Sequence, residues 1–261
     1  MTGASAGIGR ELALLLARDG FHLVLSARDE GRLRELAAEL EVRWGTTSTI
    51  IPCDLGAPDG AGALASVIAS AGLEIDVLVN NAGIGAAGPF AEVPLERHRA
   101  LLQLNVAALT ELTHHFLPGM LERRRGCILN VASTAAFQPG PFLATYYASK
   151  AYVLSLSEAL AEETRGTGVS VTTLCPGPTR TEFFARADMR ESKLARGAVM
   201  DAATVAAAGY AGVMRGDRIV VPGLANRATT MLVRLAPRRI VTRVVAGLNR
   251  ARRGAGPPRG D

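Results

Sequence analysis

The stretch MTGASAGIGR, residues 1–10, decides how the rest of the chain is read. Gly3, Gly7 and Gly9, with Ser5 and Ile8 among them, put small residues where a turn enters a helix. Glycines there let backbone N–H groups approach an anion, and the helix dipole favours that charge. Such a turn has meaning only between a strand and a helix, yet no strand precedes it in these 261 residues. The reading therefore expects a genuine turn whose first, central strand is missing at the N-terminus, with Met1 in place of that strand's last apolar residue.

An apolar share of 48% is ample for one large core, and no segment reaches the ~18 uninterrupted apolar residues of a membrane span. No basic-then-apolar leader comes before the first motif, so the expectation is a cytoplasmic protein. Cys53, Cys127 and Cys175 are odd in number and far apart, and read as buried free thiols. His22, His98, His114 and His115 form no i, i+4 pair, so no metal is assigned. Lys150 and Lys193 are the only lysines, which makes each worth examining.

Short apolar runs alternate with helical stretches, the pattern of a doubly wound parallel sheet in an α/β fold. The predicted strands are Phe21–Ser26, Thr49–Pro52, Val77–Asn80, Gly126–Val131, Ser170–Cys175 and Arg218–Val221. The predicted helices are Ile8–Asp19, Glu30–Trp44, Gly60–Ala71, Leu95–Arg124, Ala148–Arg165 and Ala202–Met214. Residues 1–224 read as one catalytic domain with a substrate loop at about 182–200. A basic tail, 225–261, follows, and its end is disordered by composition.

In open parallel sheets ligands bind outside the carboxyl ends of the strands. The strand in FHLVLSAR (21–28) ends with Arg28 close to where an NAD-binding fold has an acid for the ribose 2′-hydroxyl. A guanidinium there suits a 2′-phosphate, which favours NADP(H) over NAD(H); Asp29 keeps NAD open. The next strand ends carry Asp54 and Leu55, then NNAG (80–83) with Asn81, Ala82 and Gly83.

In YYASK (146–150) two tyrosines precede Lys150: Tyr146, at i, i+4, shares its helical face, and Tyr147, at i, i+3, is less well aligned. A phenol at its ordinary pKa of about 10 is a poor acid at neutral pH, and a nearby ammonium lowers it. Ser133, at the end of ILNVAS (128–133), could hydrogen-bond a substrate oxygen while Tyr146 protonates it. No histidine and no G-x-S-x-G elbow accompanies Ser133, which argues against a hydrolase.

With TGASAGIG, NNAG, Asn105 in LNV, Ser133, YYASK and PGPTRTEF (176–183) in this order and spacing, the sequence resembles the short-chain dehydrogenase/reductase family over nearly its whole length. The resemblance implies that Tyr146 exchanges the proton, Ser133 orients the substrate oxygen, and Lys150 tunes Tyr146 and binds the nicotinamide ribose. Asn105 would hold a relay water. Pro176 and Gly177 would shape the loop under the nicotinamide, with Thr179 and Thr181 on its carboxamide or the phosphates. A homo-oligomer is the family-level expectation.

Phe90, Phe137, Phe142, Phe183, Phe184 and Met189 cluster where a substrate mouth should form, which implies a small hydrophobic carbonyl or alcohol as substrate. In the tail, Ile240, Val241, Val244, Val245 and Leu248 share a helical face, with Arg239, Arg243 and Arg250 largely off it. Peripheral membrane contact and packing against the protein's own loop or a subunit are the competing readings, packing being favoured. Nucleic acid is not expected, because no stacking aromatics interleave with the basic residues. The rival to an oxidoreductase is a catalytically idle dinucleotide-binding sensor or scaffold, against which the Asn105–Ser133–Tyr146–Lys150 set argues.

Overall fold

The computed structural model describes residues 1–187 and 199–250. Strands β1 (Leu23–Leu25), β2 (Ser48–Ile50), β3 (Val77–Asn80), β4 (Gly126–Val131), β5 (Val169–Leu174), a short β6 (Thr179–Arg180) with its partner β7 (Met200–Asp201), and β8 (Ile219–Val220) all pair in parallel. The ends of the principal strands lie within two residues of the predicted ones, and Val77–Asn80 and Gly126–Val131 coincide with them. The fold is α/β, with a parallel sheet between helical layers.

The ladder is parted in one place. β2 and β1 form one sheet and β3-β4-β5-β8 another. Between them lies only Met1–Thr2: Thr2 N donates to Val79 O at 2.9 Å, Ser26 N donates to Met1 O at 3.0 Å, and Thr2 bridges Ser26 in parallel. The Met1 ammonium donates to Val24 O at 2.6 Å, and burial draws it down from 8.0 to about 5. A narrow cavity between Met1, Val24, Leu64, Leu78, Leu112 and Phe116 lies beside this segment.

Helices α1 (Gly7–Arg18), α2 (Glu30–Trp44) and α3 (Gly60–Ser70) link the early strands. Asp29 caps α2 by accepting from Arg32 N at 3.0 Å, and Gly45 ends it in the left-handed region. The single helix expected over Leu95–Arg124 is instead α4 (Leu95–Leu102), a π-turn over Gln103–Ala107, and α5 (Ala108–Arg123). The wider turn seats Asn105 in the core, where its side chain bonds to the main chain of Ile84 and to Ser149. α6 (Ala144–Glu163) begins four residues earlier than predicted, ahead of the tyrosines. α7 (Phe183–Arg186) follows β6, and α8 (Ala202–Arg215) packs on α1.

Two core layers flank the sheet. Leu12, Leu16, Leu33, Leu40, Leu129 and Val213 fill one face, and Val24, Leu64, Ile68 and Leu112 the other. Of the three cysteines, all expected to be buried, only Cys175 is; Cys53 and Cys127 are half-buried. The tail forms α9 (Leu224–Leu235) and α10 (Arg238–Asn249), divided at Pro237. Val241 and Val245 join a cluster with Leu143 and Tyr147, so part of the tail's apolar face is core. Met189, most of the substrate loop and the terminal segment 251–261 lie outside the described residues.

Candidate active site

A cleft of about 460 Å³ opens at the carboxyl ends of the strands, within the range of small-molecule sites. One end is built by the glycine turn. Gly3 has φ +64°, and a Cβ on Gly9 would lie 2.2 Å from Gly3 O and 2.4 Å from Asn81 Nδ2. Asn81 locks the turn to β3, donating to Thr2 O at 3.1 Å and Gly3 O at 3.0 Å. Gly3, Ser5, Gly7 and Ile8 line the cleft; Gly9 stands behind them as the residue that lets the turn close.

At the end of β1, Arg28 lines the cleft and is exposed, with no carboxylate partner among the described residues. Asp29 next to it is occupied by the α2 cap and by Arg32, 3.4 Å away. Arg32 reaches on to Glu182 at 2.9 Å, joining α2 to the residue that precedes α7. Asp54 and Leu55 line the same side, Asp54 also accepting from Gly56 N at 2.9 Å.

At the other end Ala82, Gly83, Ser133, Tyr146, Lys150, Pro176, Gly177, Thr179 and Thr181 come together. Ser133 follows β4; its Oγ accepts from Ala135 N at 3.1 Å and donates to Pro176 O at 3.4 Å, and it shares the cleft with Tyr146. Burial lifts the Tyr146 phenol above its ordinary value, and the neighbouring Ser133 hydroxyl opposes this more weakly. Lys150 Nζ donates to Val131 O at 2.7 Å and lies 5.9 Å from the Tyr146 ring centre. Burial draws the ammonium from 10.5 down to about 8, against a smaller opposing effect of Cys175. The Cys175 thiol is itself pushed up to about 12 by burial, so it is neutral at physiological pH. A Cβ on Gly83 would stand 3.3 Å from Asn105 Oδ1, a tight approach, and in ordinary contact with Lys150 Nζ at 3.5 Å.

Asn105 does not line the cleft. Its Oδ1 accepts from Ile84 N at 2.9 Å, and its Nδ2 donates to Ile84 O at 3.0 Å and Ser149 Oγ at 3.1 Å. Both Nδ2 protons are thus engaged, so a relay water at this residue would have to donate, to Oδ1 or to the main-chain carbonyl.

Of the aromatic residues expected at the mouth, Phe183 and Phe184 line the cleft, and Phe183 packs against Tyr146 with ring centres 5.1 Å apart. Phe90 instead stacks on His98 at the surface, Phe137 lies under Arg234, and Phe142 under Arg250. Sequence reasoning missed Leu143, Gln138 and Tyr147 as lining residues, and Val245 and Leu248 from the tail. The tail's apolar period was the available signal, but nothing local said which surface it would meet.

A family model described as short chain dehydrogenase matches residues 1–192. The chain belongs to the short-chain dehydrogenase family. Within that family it is 42% identical over 175 residues to a very-long-chain 3-oxoacyl-CoA reductase of Laccaria bicolor, a match that covers 66% of this chain and 51% of that protein. The chain thus spans about half the length of this curated relative. Among solved short-chain dehydrogenases, one from Sphingobium yanoikuyae in complex with NADPH superposes with a TM-score of 0.80 at 34% identity, covering 88% of this chain and 90% of that one. Another, from Burkholderia phymatum in complex with NAD, gives 0.79 at 27% identity, covering 89% and 90%. Family members of this shape therefore occur with either nicotinamide cofactor.

Proposed function

We propose that this short-chain dehydrogenase is an NADP(H)-dependent oxidoreductase that interconverts a carbonyl and a secondary alcohol on a hydrophobic small molecule. The observation that carries the reading is the convergence of Ser133, Tyr146 and Lys150 with the glycine turn in one cleft. The cradle lined by Gly3, Ser5, Gly7 and Ile8, which Gly9 lets close, fits a dinucleotide's phosphates. Arg28 would meet a 2′-phosphate, its neighbour Asp29 being engaged elsewhere. Lys150 and Tyr146 would hold the nicotinamide ribose, with Thr179 and Thr181 beyond it.

When bound, NADPH supplies the hydride that the carbonyl carbon takes up. Tyr146 holds the proton: it is buried and neutral, and Ser133 stands beside it in the cleft. As the C=O bond becomes single, the substrate oxygen accepts the Tyr146 proton, and Ser133 orients that oxygen by its own hydroxyl. The phenolate left behind would be stabilised by the Lys150 ammonium. Phe183, Phe184, Val245 and Leu248 make the remaining walls apolar, which excludes water and selects a hydrophobic ketone. The Laccaria relative's name, a reductase of long 3-oxoacyl chains, agrees with that selection.

The test is NADPH consumption across aliphatic, aromatic and steroid-like ketones. We expect turnover on apolar ketones that drops by roughly 10²-fold or more in Tyr146→Phe while NADPH still binds. NADPH binding without turnover on any ketone would favour an idle sensor, and a fully active Tyr146→Phe would remove the proton-donor assignment.

A further inference from the structure

Helix α9 carries its polarity inside out. The residues of α9 turned toward the protein are Asn226, Thr230 and Val233, and only Thr230 is fully buried. Asn226 Nδ2 donates to Pro222 O at 2.8 Å and Thr230 Oγ1 to Arg227 O at 2.9 Å, so the polar inner groups are paired locally. On the opposite side Leu224, Met231, Leu232 and Leu235 are exposed by 83%, 71%, 65% and 86%. Their spacing of i, i+7, i+8 and i+11 places them along one stripe. In α10, Val241, Val245 and Asn249 are buried, while Ile240 and Val244 extend the apolar face into solvent at 55% and 56%.

Arginines border both helices. Arg227, Arg234, Arg238, Arg239, Arg243 and Arg250 have no carboxylate partner among the described residues. The sequence holds no Asp or Glu between Asp217 and Asp261. Scattered exposed leucines need no explanation, but a stripe that faces away from its own core and is rimmed by one sign of charge does. A helix of this kind suits an interface whose interior is apolar and whose surface is anionic.

We propose that α9 and α10 form a docking surface for an anionic lipid bilayer. The outer side chains of α9 enter the acyl boundary, Ile240 and Val244 extend the contact, and the arginines meet the lipid phosphates. Charge argues against a second copy of this chain as the occupant, since two such faces would bring six arginines against six. Val245 and Leu248 of α10 line the cleft, so docking brings the cleft mouth to the bilayer, where an apolar substrate is concentrated. The docking itself does not rest on the reduction chemistry.

Co-sedimentation with vesicles of phosphatidylcholine alone, and of phosphatidylcholine mixed with phosphatidylglycerol, tests this at low and high salt. The chain should pellet with the mixed vesicles and be released by salt. Reversing Arg238 and Arg239 (Arg238→Glu with Arg239→Glu) should weaken binding roughly fivefold or more per charge. Met231→Glu with Leu235→Glu should weaken it roughly tenfold or more. All four side chains are exposed, so the fold should tolerate these changes; Leu224→Glu replaces the second pair if its thermal melt shifts. The proposal is overturned if the chain pellets with neither vesicle, or if the Met231/Leu235 variant pellets as the parent does. It is overturned equally if that variant dissociates an oligomer in lipid-free buffer, which would assign the stripe to a contact between copies.

Discussion

The Tyr147 hydroxyl donates to Asn249 Oδ1 at 3.2 Å, joining the helix of Tyr146 and Lys150 to α10 across 102 residues of sequence. Asn249 Nδ2 completes the link by donating to Pro141 O at 2.9 Å. The wall that Val245 and Leu248 give the cleft is therefore held by a buried polar latch. Asn249→Ala leaves the Tyr147 hydroxyl and the Pro141 carbonyl unpaired, at a cost of about 1–3 kcal/mol. Urea denaturation should report a lower midpoint with an unchanged slope, and the KM for an apolar ketone should rise more than kcat falls. An unchanged midpoint and KM would mean that the latch is idle.

On the proposed reading, cofactor choice turns on Arg28, which lines the cleft. If it meets a 2′-phosphate by charge-assisted hydrogen bonds, Arg28→Ala should weaken NADPH binding by roughly 10- to 100-fold and leave NADH nearly untouched. Fluorescence titration with both cofactors measures this. Equal losses for the two would reassign Arg28 to a general surface charge.

Lys150 carries a pH dependence of stability. Its ammonium titrates at about 8 in the folded chain against 10.5 when unperturbed, because burial disfavours the charge. Between those values the unfolded chain binds the proton more tightly, so stability rises with pH across that window. Lys150→Met removes this titration. The stability of the Met variant relative to the parent should be greatest near neutrality and should decline by on the order of 2 kcal/mol toward pH 10.5, as read by chemical denaturation. A difference that stays flat with pH would show that Lys150 is solvated in the folded state.

Thr2 holds the seam between the two parts of the sheet. Its Oγ1 donates to Val79 O at 3.3 Å and accepts from Asn81 N and Ala82 N, both at 3.1 Å. Thr2→Val keeps the shape but leaves two backbone donors at the cleft edge without that partner. We expect a loss of about 2 kcal/mol in stability and weaker NADPH binding, since the same turn would form the proposed phosphate cradle. Parallel thermal melts and titrations would check both, and a variant unchanged in both would show that water replaces the hydroxyl.

The principal strands were legible in the sequence because each is a short apolar run closed by a turn residue, a signal that needs no knowledge of neighbours. The same holds for α2, bounded by Asp29 and Gly45. The turn between α4 and α5 was not legible: Leu95–Arg124 has one continuous helical pattern, and the extra residue of the π-turn follows from Asn105 bonding to Ile84, twenty-one positions away.

What the sequence determined by itself is therefore local: the glycine turn, the order of strands and helices, and the i, i+4 placement of Tyr146 and Lys150. Their meeting with Ser133 and Arg28 in one cleft followed from the parallel crossover rule, which brings all strand carboxyl ends to one edge. Only the tertiary structure decided which apolar side chains face that cleft, choosing Phe183, Phe184, Val245 and Leu248 over Phe90, Phe137 and Phe142. It alone turned the leucines of α9 outward and drew Val245 inward. Hydrophobic burial has no direction along the chain, so the partner of an apolar face is set by where distant segments pack rather than by its own residues.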